Sequence, residues 1–511
     1  MAQNWDLYLL DPLLVLFGFL SIIFVIYKER LSLKWIAFGV ETILFWVACG
    51  IIIQWNTAQL GWKVFSTPVQ ITLLFFGTNS LFLVFLKPLA TFLTGKIHHR
   101  RVWMYFAGIM LFLATIFTFV NKNGSSIALF VVIALFLALA LSANSLFFLF
   151  ENEQFYYRAA PTLSVTVISV FILFGTFFGS YLAGLEINLT QQKSGYNHVV
   201  LYSLTSFFLV LSALFSLVNF KEDVHYVSDL DDRLLAELPQ FNWKILVWLI
   251  GVVFAFSLIF ATTQSDLITT YLTTRLLNRT NFNLMRISAF LRTYQVFFVA
   301  PQFLFGYLIY KFFIEKFGFR SLIVNSIGIC FAALIVSLFA DEPIVYLIFN
   351  FFLGMGSAQI FYACFAMAIL WNYRTQGIPA TGLVSAAQTF AQFIINTVIK
   401  ALKLGGVGIF NVYQSIWKDS TLDVDKINQY NNEGGRVVVI LLSVMCGLLI
   451  AMTLVSFFSM KLYFADTLNI NEARANAKRL LKTDLQARIN HRSSVEELNS
   501  YGAKRYEFRN H

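Results

Sequence analysis

The stretch Glu315-Lys316-Phe317-Gly318-Phe319-Arg320 is a short basic turn between two long apolar runs, 287–313 and 321–339. A counterpart, Lys96-Ile97-His98-His99-Arg100-Arg101, lies between the apolar runs 66–94 and 102–120. So short a connection joins two membrane-crossing helices only if both end at the headgroups, and Lys and Arg hold that end on the cytoplasmic side. The rest of the chain repeats around these two turns.

Composition sets the class. Of 511 residues 58% are hydrophobic and 13% charged, with a mean hydropathy of +0.70, which describes a polytopic membrane protein. An apolar run of about 20 residues crosses the roughly 30 Å hydrocarbon core as a helix, and an open sheet cannot do so. Such runs occupy 9–27, 35–55, 66–94, 102–120, 126–150, 162–185 and 199–219, then 244–271, 287–313, 321–339, 343–371, 380–402 and 436–460. Thirteen spans are therefore expected in an all-α chain. A polar segment at 220–243, with Asp229, Asp231, Asp232 and Glu237, divides them. The expected organisation is an extra helix in 1–34, a six-helix bundle in 35–219, a cytoplasmic linker in 220–243, a second six-helix bundle in 244–460 and a basic tail in 461–511.

An internal repeat supports two halves. Ser142-Ala143-Asn144 through Tyr157-Arg158 resembles Ser357-Ala358-Gln359 through Tyr373-Arg374. Pro161 and Pro379 open the runs that follow, and the two basic turns stand at nearly the same offset. Repeated bundles of this size are how many transporters are built, with the substrate site between the halves.

The C-terminal turn resembles the Asp-Arg-x-Gly-Arg-Arg loop that the major facilitator superfamily carries between its second and third helices and again in its second half. Glu315 stands for the acid, Lys316 for the first basic residue, Gly318 for the glycine and Arg320 for the last basic residue. In the N-terminal copy Lys96, Arg100 and Arg101 keep the charges, while Gly95 replaces the acid and His98 the glycine. Over residues 35–460 the resemblance implies two six-helix bundles that rock around a central polar site in a secondary active transporter. The first helix and the tail fall outside the usual twelve.

Basic residues set the orientation. Lys28, Arg30 and Lys34, then Lys96, Arg100 and Arg101, then Lys311, Lys316 and Arg320 fall on one side if the N-terminus is outside. The first segment holds Asp6 and Asp11 and no base, whereas Arg275, Arg279 and Arg286 in an outer loop run against the trend. The chain is thus expected in the cell membrane, N-terminus out and C-terminus in. The run 9–27 lacks a basic leader and a small-residue cleavage site, so it reads as a retained span. In the tail Asn471 can cap a helix with an apolar strip of Ala475, Leu480, Leu481, Leu485 and Ile489 amid five bases. It reads either as an interfacial helix held by anionic lipid or as a solvated tail that reinforces topology.

The sequence holds no nucleotide loop, no metal-ligand spacing and no nucleophile–base set, so neither a pump's ATP site nor an enzyme, a cofactor or a nucleic-acid partner is expected. Cys49, Cys330, Cys364 and Cys446 sit in apolar runs as small hydrophobes. Gly354 and Gly356 read as close helix packing. The informative residues are polar ones inside spans, since each costs a few kcal/mol on insertion scales and faces the bundle interior. Ser385, Gln388, Gln392 and Asn396 share one helical face. Their amides suit a small uncharged polar solute such as a sugar or nucleoside, or else they hold helices together. Thr262, Asp266, Thr269 and Thr273 form a second such face, in a helix that lines the cavity in the superfamily. Glu41 can take up a proton and couple transport to it, or sit paired for structure.

Four charges are expected to pair by depth, either as gates that bias the two states or as static pairs that only satisfy buried charge. At about 1.5 Å per residue, Asp266 and Arg292 lie together near the outer surface, and Glu41 and Lys87 lie together near the inner one. By the resemblance, Arg100 or Arg101 contacts Glu151 at the inner end of the fifth span. The reading is a monomeric transporter of a small solute, with protons or another ion as the coupling partner. The alternatives are a non-transporting membrane scaffold, an integral enzyme acting on lipid, or a lipid or polysaccharide flippase. Reporters fused after residue 5 and after residue 470 are expected on opposite faces of the membrane; both on one face would mean an even number of spans.

Overall fold

The computed structural model describes residues 6–61, 79–97, 99–124, 126–155, 161–191, 197–220, 243–279, 284–314, 326–336, 342–372, 378–404 and 424–463. Among these residues there is no strand. In chain order the helices are α1 (Asp11–Glu29), α2 (Leu33–Gly61), α3 (Asn79–Ile97), α4 (Arg100–Val120), α5 (Ile127–Leu141), α6 (Asn144–Phe155), α7 (Pro161–Gln191) and α8 (His198–Ser216). The second half holds α9 (Trp243–Thr263), α10 (Asp266–Arg279), α11 (Leu284–Ile309), α12 (Ser326–Val336), α13 (Pro343–Asn372), α14 (Ala380–Leu404) and α15 (Val424–Tyr463).

Ten helices among the described residues are long and apolar enough to cross a membrane, rather than the thirteen expected. The other three expected spans fall on α3, α11 and the shorter apolar α12. Part of the run 66–94, and the side chains that open the run 287–313, lie outside the described residues; α3 carries an internal Pro88 beside Lys87, and α11 an internal Pro301 and Arg292. The molecule is a multi-pass membrane protein. The linker, the second basic turn with Glu315, Lys316, Gly318 and Arg320, and the tail beyond Tyr463 lie outside the described residues.

Two expected single spans are broken. Between α5 and α6 the helix is interrupted at Ser142–Ala143, and between α9 and α10 at Gln264–Ser265. Each break frees backbone groups that polar side chains must satisfy inside the bilayer. The structure supplies them: Ser265 Oγ donates to the Thr262 carbonyl at 2.6 Å, and Ser142 Oγ to the Leu139 carbonyl at 2.6 Å.

Within the first half, α2 packs along α7 and α8, and α4 along α5. The α2–α7 approach is permitted by Gly175 and Gly179, four residues apart on α7. A Cβ on Gly175 would lie 2.7 Å from the Ile43 carbonyl, and one on Gly179 would run into the backbone of Val47. Small residues at this spacing let helix backbones meet where lipid offers no hydrophobic drive to associate. In the second half α11 packs on α13, and α9 on α14; Gly354 abuts the Phe298 backbone and Gly356 the Cys330 sulfur, as expected of close packing. All four cysteines are free and buried.

The halves meet along two seams related by the repeat: α3 against α14, and α7 against α11 and α13. Helix α1 lies along the second seam, touching both α7 and α11. Arg30 ends it in the left-handed conformation (φ 48°), which turns the chain back into α2.

Replacing Gly179 by Leu is expected to lower stability by roughly 1–3 kcal/mol through overpacking against α2. Gly108→Ala, where an added Cβ meets nothing within 4 Å, serves as the control. Equal melting temperatures for both variants in detergent would show that the α2–α7 contact is not limiting.

Candidate functional site

The first seam carries a polar cluster in the middle of the spans. Pro88 interrupts α3 one residue after Lys87, since it has no N–H for the carbonyl four residues back. Gly382 then lets α14 close onto this point: a Cβ there would lie 2.7 Å from the Pro88 Cα and 2.8 Å from the Lys87 carbonyl. Lys87 Nζ reaches across the seam and donates to Thr389 Oγ1 at 2.7 Å and to the Ser385 carbonyl at 3.4 Å. One turn below, Thr91 Oγ1 and Ser145 Oγ lie 3.2 Å apart, joining α3 to α6. Lys87, Ser385 and Thr389 are all buried. The Ser385 hydroxyl has no hydrogen-bond partner.

Along α14 the expected stripe changes character. Ser385 is buried against α3, Gln388 is half-buried, and Gln392 and Asn396 are exposed. At 3.6 residues per turn these positions point within about 80° of one another, so the face that closes on α3 at Ser385 opens farther along the same helix. Near the closed end, ring contacts also cross between the halves: Phe148 of α6 lies 5.1 Å from Phe365 and 5.8 Å from Phe361 of α13.

Below the seam, on the side of the first basic turn, two arginines are fully buried and doubly paired. Arg101 makes a two-pronged ion pair with Glu41 of α2, one bond being 2.9 Å, and donates Nε to the Asn219 carbonyl at 3.1 Å. Its guanidinium also sits 4.3 Å from the Phe150 ring centre. Arg100 grips Glu153 at 3.1 and 3.3 Å and donates to Thr94 Oγ1 at 3.0 Å. Lys96 is exposed and stacks over Phe92 at 4.6 Å.

These contacts correct two expected pairs. Glu41 is paired with Arg101 and not with Lys87: both Glu41 and Arg101 reach inward from adjacent first-half helices, whereas Lys87 is drawn across the seam to α14. Arg292 is paired with Asp11 of α1, 2.5 Å away; the expected partner Asp266 has its side chain outside the described residues. Depth along a helix set the level of each charge but not its azimuth, and α1 brings an acid to that level from a helix outside the repeat. The contact expected at Glu151 is made by Glu153 to Arg100; Glu151 instead accepts from Ser164 Oγ at 2.9 Å. Asp266 begins α10, and its side chain lies outside the described residues.

Thr262 is buried, yet its hydroxyl is spent on the Leu258 carbonyl of its own helix at 2.7 Å. The second-half polar network lies one residue beyond. Gln264, at the α9–α10 break, donates to Asn350 Oδ1 at 2.6 Å, Asn350 donates to the Tyr294 carbonyl at 2.5 Å, and Tyr294 OH to the Thr263 carbonyl at 2.8 Å. Sequence reasoning missed Asn350 and Gln264. The available signal was an amide inside the apolar run 343–371, Asn350, with another, Gln264, toward the end of the run 244–271.

Removing one partner of a buried pair leaves an uncompensated charge, which costs roughly 3–5 kcal/mol. Glu41→Ala is therefore expected to lower the melting temperature sharply, and adding Arg101→Leu to recover most of the loss. A single variant as stable as the unaltered protein would show that the pair contributes little.

No protein-family model and no curated protein matches this sequence. Solved structures do match the fold. The human organic anion transporter MFSD10 (TETRAN) superposes with a TM-score of 0.54 at 12% identity, covering 82% of this chain and 100% of its own. The E. coli fucose:proton symporter FucP superposes with a TM-score of 0.50 at 14% identity, covering 80% of this chain and 98% of its own. With two halves meeting along paired seams, the chain is built on the fold of the major facilitator superfamily transporters.

Proposed function

We propose that this protein is a secondary active transporter that moves a small polar solute by alternating access. The carrying observation is the stripe on α14. One helical face is sealed against the opposite half at Ser385 and exposed at Gln392 and Asn396. Amides on a face that points at the other half line an opening between the halves, because the same groups turned to lipid would go unsatisfied. The pathway is thus closed at the basic-turn end, by the Lys87–Thr389 contact and the Phe148–Phe361–Phe365 rings, and open toward the other.

In this reading Ser385, Gln388, Gln392 and Asn396 contact solute, and Thr262 and Asp266 flank them across the second half. The buried pairs Arg101–Glu41 and Arg100–Glu153 hold the first half together as it moves, with Lys96 and the second turn, Glu315 to Arg320, at the membrane surface. The printed functions of the two superposed proteins, fucose:proton symport and organic anion transport, favour a sugar-sized or anionic solute and leave room for proton coupling. Of the two roles first open to Glu41, its two-pronged contact with Arg101 favours the structural one.

The test is flux in proteoliposomes. Uptake that responds to an imposed gradient is expected for a solute that also raises the melting temperature of the purified protein. A lipid product without any flux would sink the proposal. Replacing Gln388, Gln392 or Asn396 by Leu should weaken that solute about five-fold to a hundred-fold, since a hydrogen bond to a buried polar group is worth roughly 1–3 kcal/mol. Unchanged affinity in all three would return the stripe to helix packing.

A further inference from the structure

Lys87 is the exception among the buried bases. Among the described residues three Lys or Arg side chains are classed as buried, and two of them, Arg100 and Arg101, hold carboxylates. The partly buried Arg292 and Lys311 also do, through Asp11 and Glu29. Lys87, 6% exposed, is held only by a hydroxyl and a carbonyl, both neutral. An ammonium out of water and without a counter-charge is the most unfavourable state such a group can take. Its position makes the state tolerable only in part: two of its three N–H groups are used, one of them weakly at 3.4 Å.

Beside it, the Ser385 hydroxyl is fully buried and donates to nothing. The Thr389 hydroxyl turns back to the Ser385 carbonyl at 3.1 Å, so it can re-aim if that bond is exchanged for another. The seam thus presents a cation and two hydroxyl donors converging from α3 and α14, with no acid among their recorded partners. One uncompensated positive charge calls for one negative charge. A carboxylate answers it: two oxygens accept from the ammonium and from a hydroxyl at once. A phosphate dianion would leave a charge unmatched.

We infer that the solute taken up in this seam carries a carboxylate, bound by Lys87 with the Ser385 and Thr389 hydroxyls, and that the amides farther along α14 receive its neutral polar part. This rests on the transporter reading above and refines its substrate class. The Lys87–Thr389 bond across the seam is then what the closed, solute-free protein forms in place of the bond to the carboxylate. Solute that takes over Lys87 unfastens α3 from α14, which links binding to parting of the halves at this level.

The experiment uses the purified full-length protein in detergent and three matched probe pairs: gluconate with glucose, lactate with lactamide, and benzoate with benzamide. The melting temperature is followed against probe concentration. At least one carboxylate is expected to bind about tenfold or more tightly than its neutral partner. Lys87→Met should abolish the difference and Lys87→Arg should keep most of it. The methionine variant is expected to fold at least as well, because it removes a buried charge and fills the same space. Neutral members binding as tightly as their carboxylates, binding unchanged in Lys87→Met, or no carboxylate bound at all would each overturn the inference. Liposome flux separates this from the transporter reading. Gradient-driven uptake of neutral probes alone removes the anion site and leaves transport standing. Carboxylate binding that needs Lys87, with no uptake of any probe, keeps the site while transport falls.

Discussion

The Arg101–Glu41 ion pair is the joint from which the first half is assembled. A guanidinium and a carboxylate inside the bilayer must find each other, since neither can be left to lipid. Their pairing fixes the facing sides of α2 and α4. The same arginine caps the chain end after α8 through the Asn219 carbonyl, and Asn219 in turn donates to the Lys34 carbonyl at 2.9 Å. Ser212 of α8 donates to the backbone of Glu41 itself at 3.0 Å. Three helices are therefore registered at one level by a single charge pair and its hydrogen bonds. The neighbouring Arg100–Glu153 pair extends that level to α6. With these four helices fixed at one end, the close glycine contacts of α2 on α7 decide how the rest of the half lies.

The additional helix imposes a second constraint, on the seam opposite the polar cluster. Its bonds to α11 are directional at both ends and in the middle: Asp11 to Arg292, Ser21 Oγ to the Phe303 carbonyl at 3.3 Å, and Glu29 to Tyr307 and to Lys311 at 3.4 Å. Its contacts with α7 are rings against rings, Phe19 lying 4.7 Å from Phe174 and 5.9 Å from Phe178. Aromatic contacts tolerate sliding that ion pairs and hydrogen bonds do not. If the halves move as proposed, the α1–α7 contact would yield more easily than the α1–α11 contact, and α1 would travel with the second half although it precedes the first half in the chain.

Much of this architecture was legible in the sequence because bilayer-crossing helices announce themselves by length and apolarity. The run 9–27 already identified α1, and the basic turn at Lys96–Arg101 already separated α3 from α4. What the pattern did not carry was azimuth. Counting residues put Glu41 level with Lys87 and Asp266 level with Arg292, but a helix rotates 100° per residue, and level alone does not choose a neighbour. Arg101, at the first turn of α4, was assigned to the surface, yet its long side chain reaches inward to Glu41. The breaks at Ser142–Ala143 and Gln264–Ser265 were likewise hidden, since neither holds a proline or a glycine; each rests on a local serine hydroxyl and on a distant side chain, the Trp103 indole at Ser142 and the Asn350 amide at Gln264. Asp11 was read only as an acid in an outer tail, because its partner lies 281 residues away.

The two seams differ in how they treat charge, and the difference bears on which one opens. Along α1 and α11 the recorded ion pairs set a buried carboxylate against a cation, Asp11 against Arg292 and Glu29 against Lys311. Along α3 and α14 the cation is met by neutral oxygens only, and the surrounding atoms are pressed close by Gly382 against Pro88. Tight packing without matching charge is a bistable arrangement. Dispersion holds the seam shut when nothing else is present, while the ammonium gains more from an anion than from a threonine hydroxyl once one arrives. If the protein transports as proposed, the seam held by ion pairs would resist parting without regard to solute, and the seam at Lys87 would be the one to respond to it.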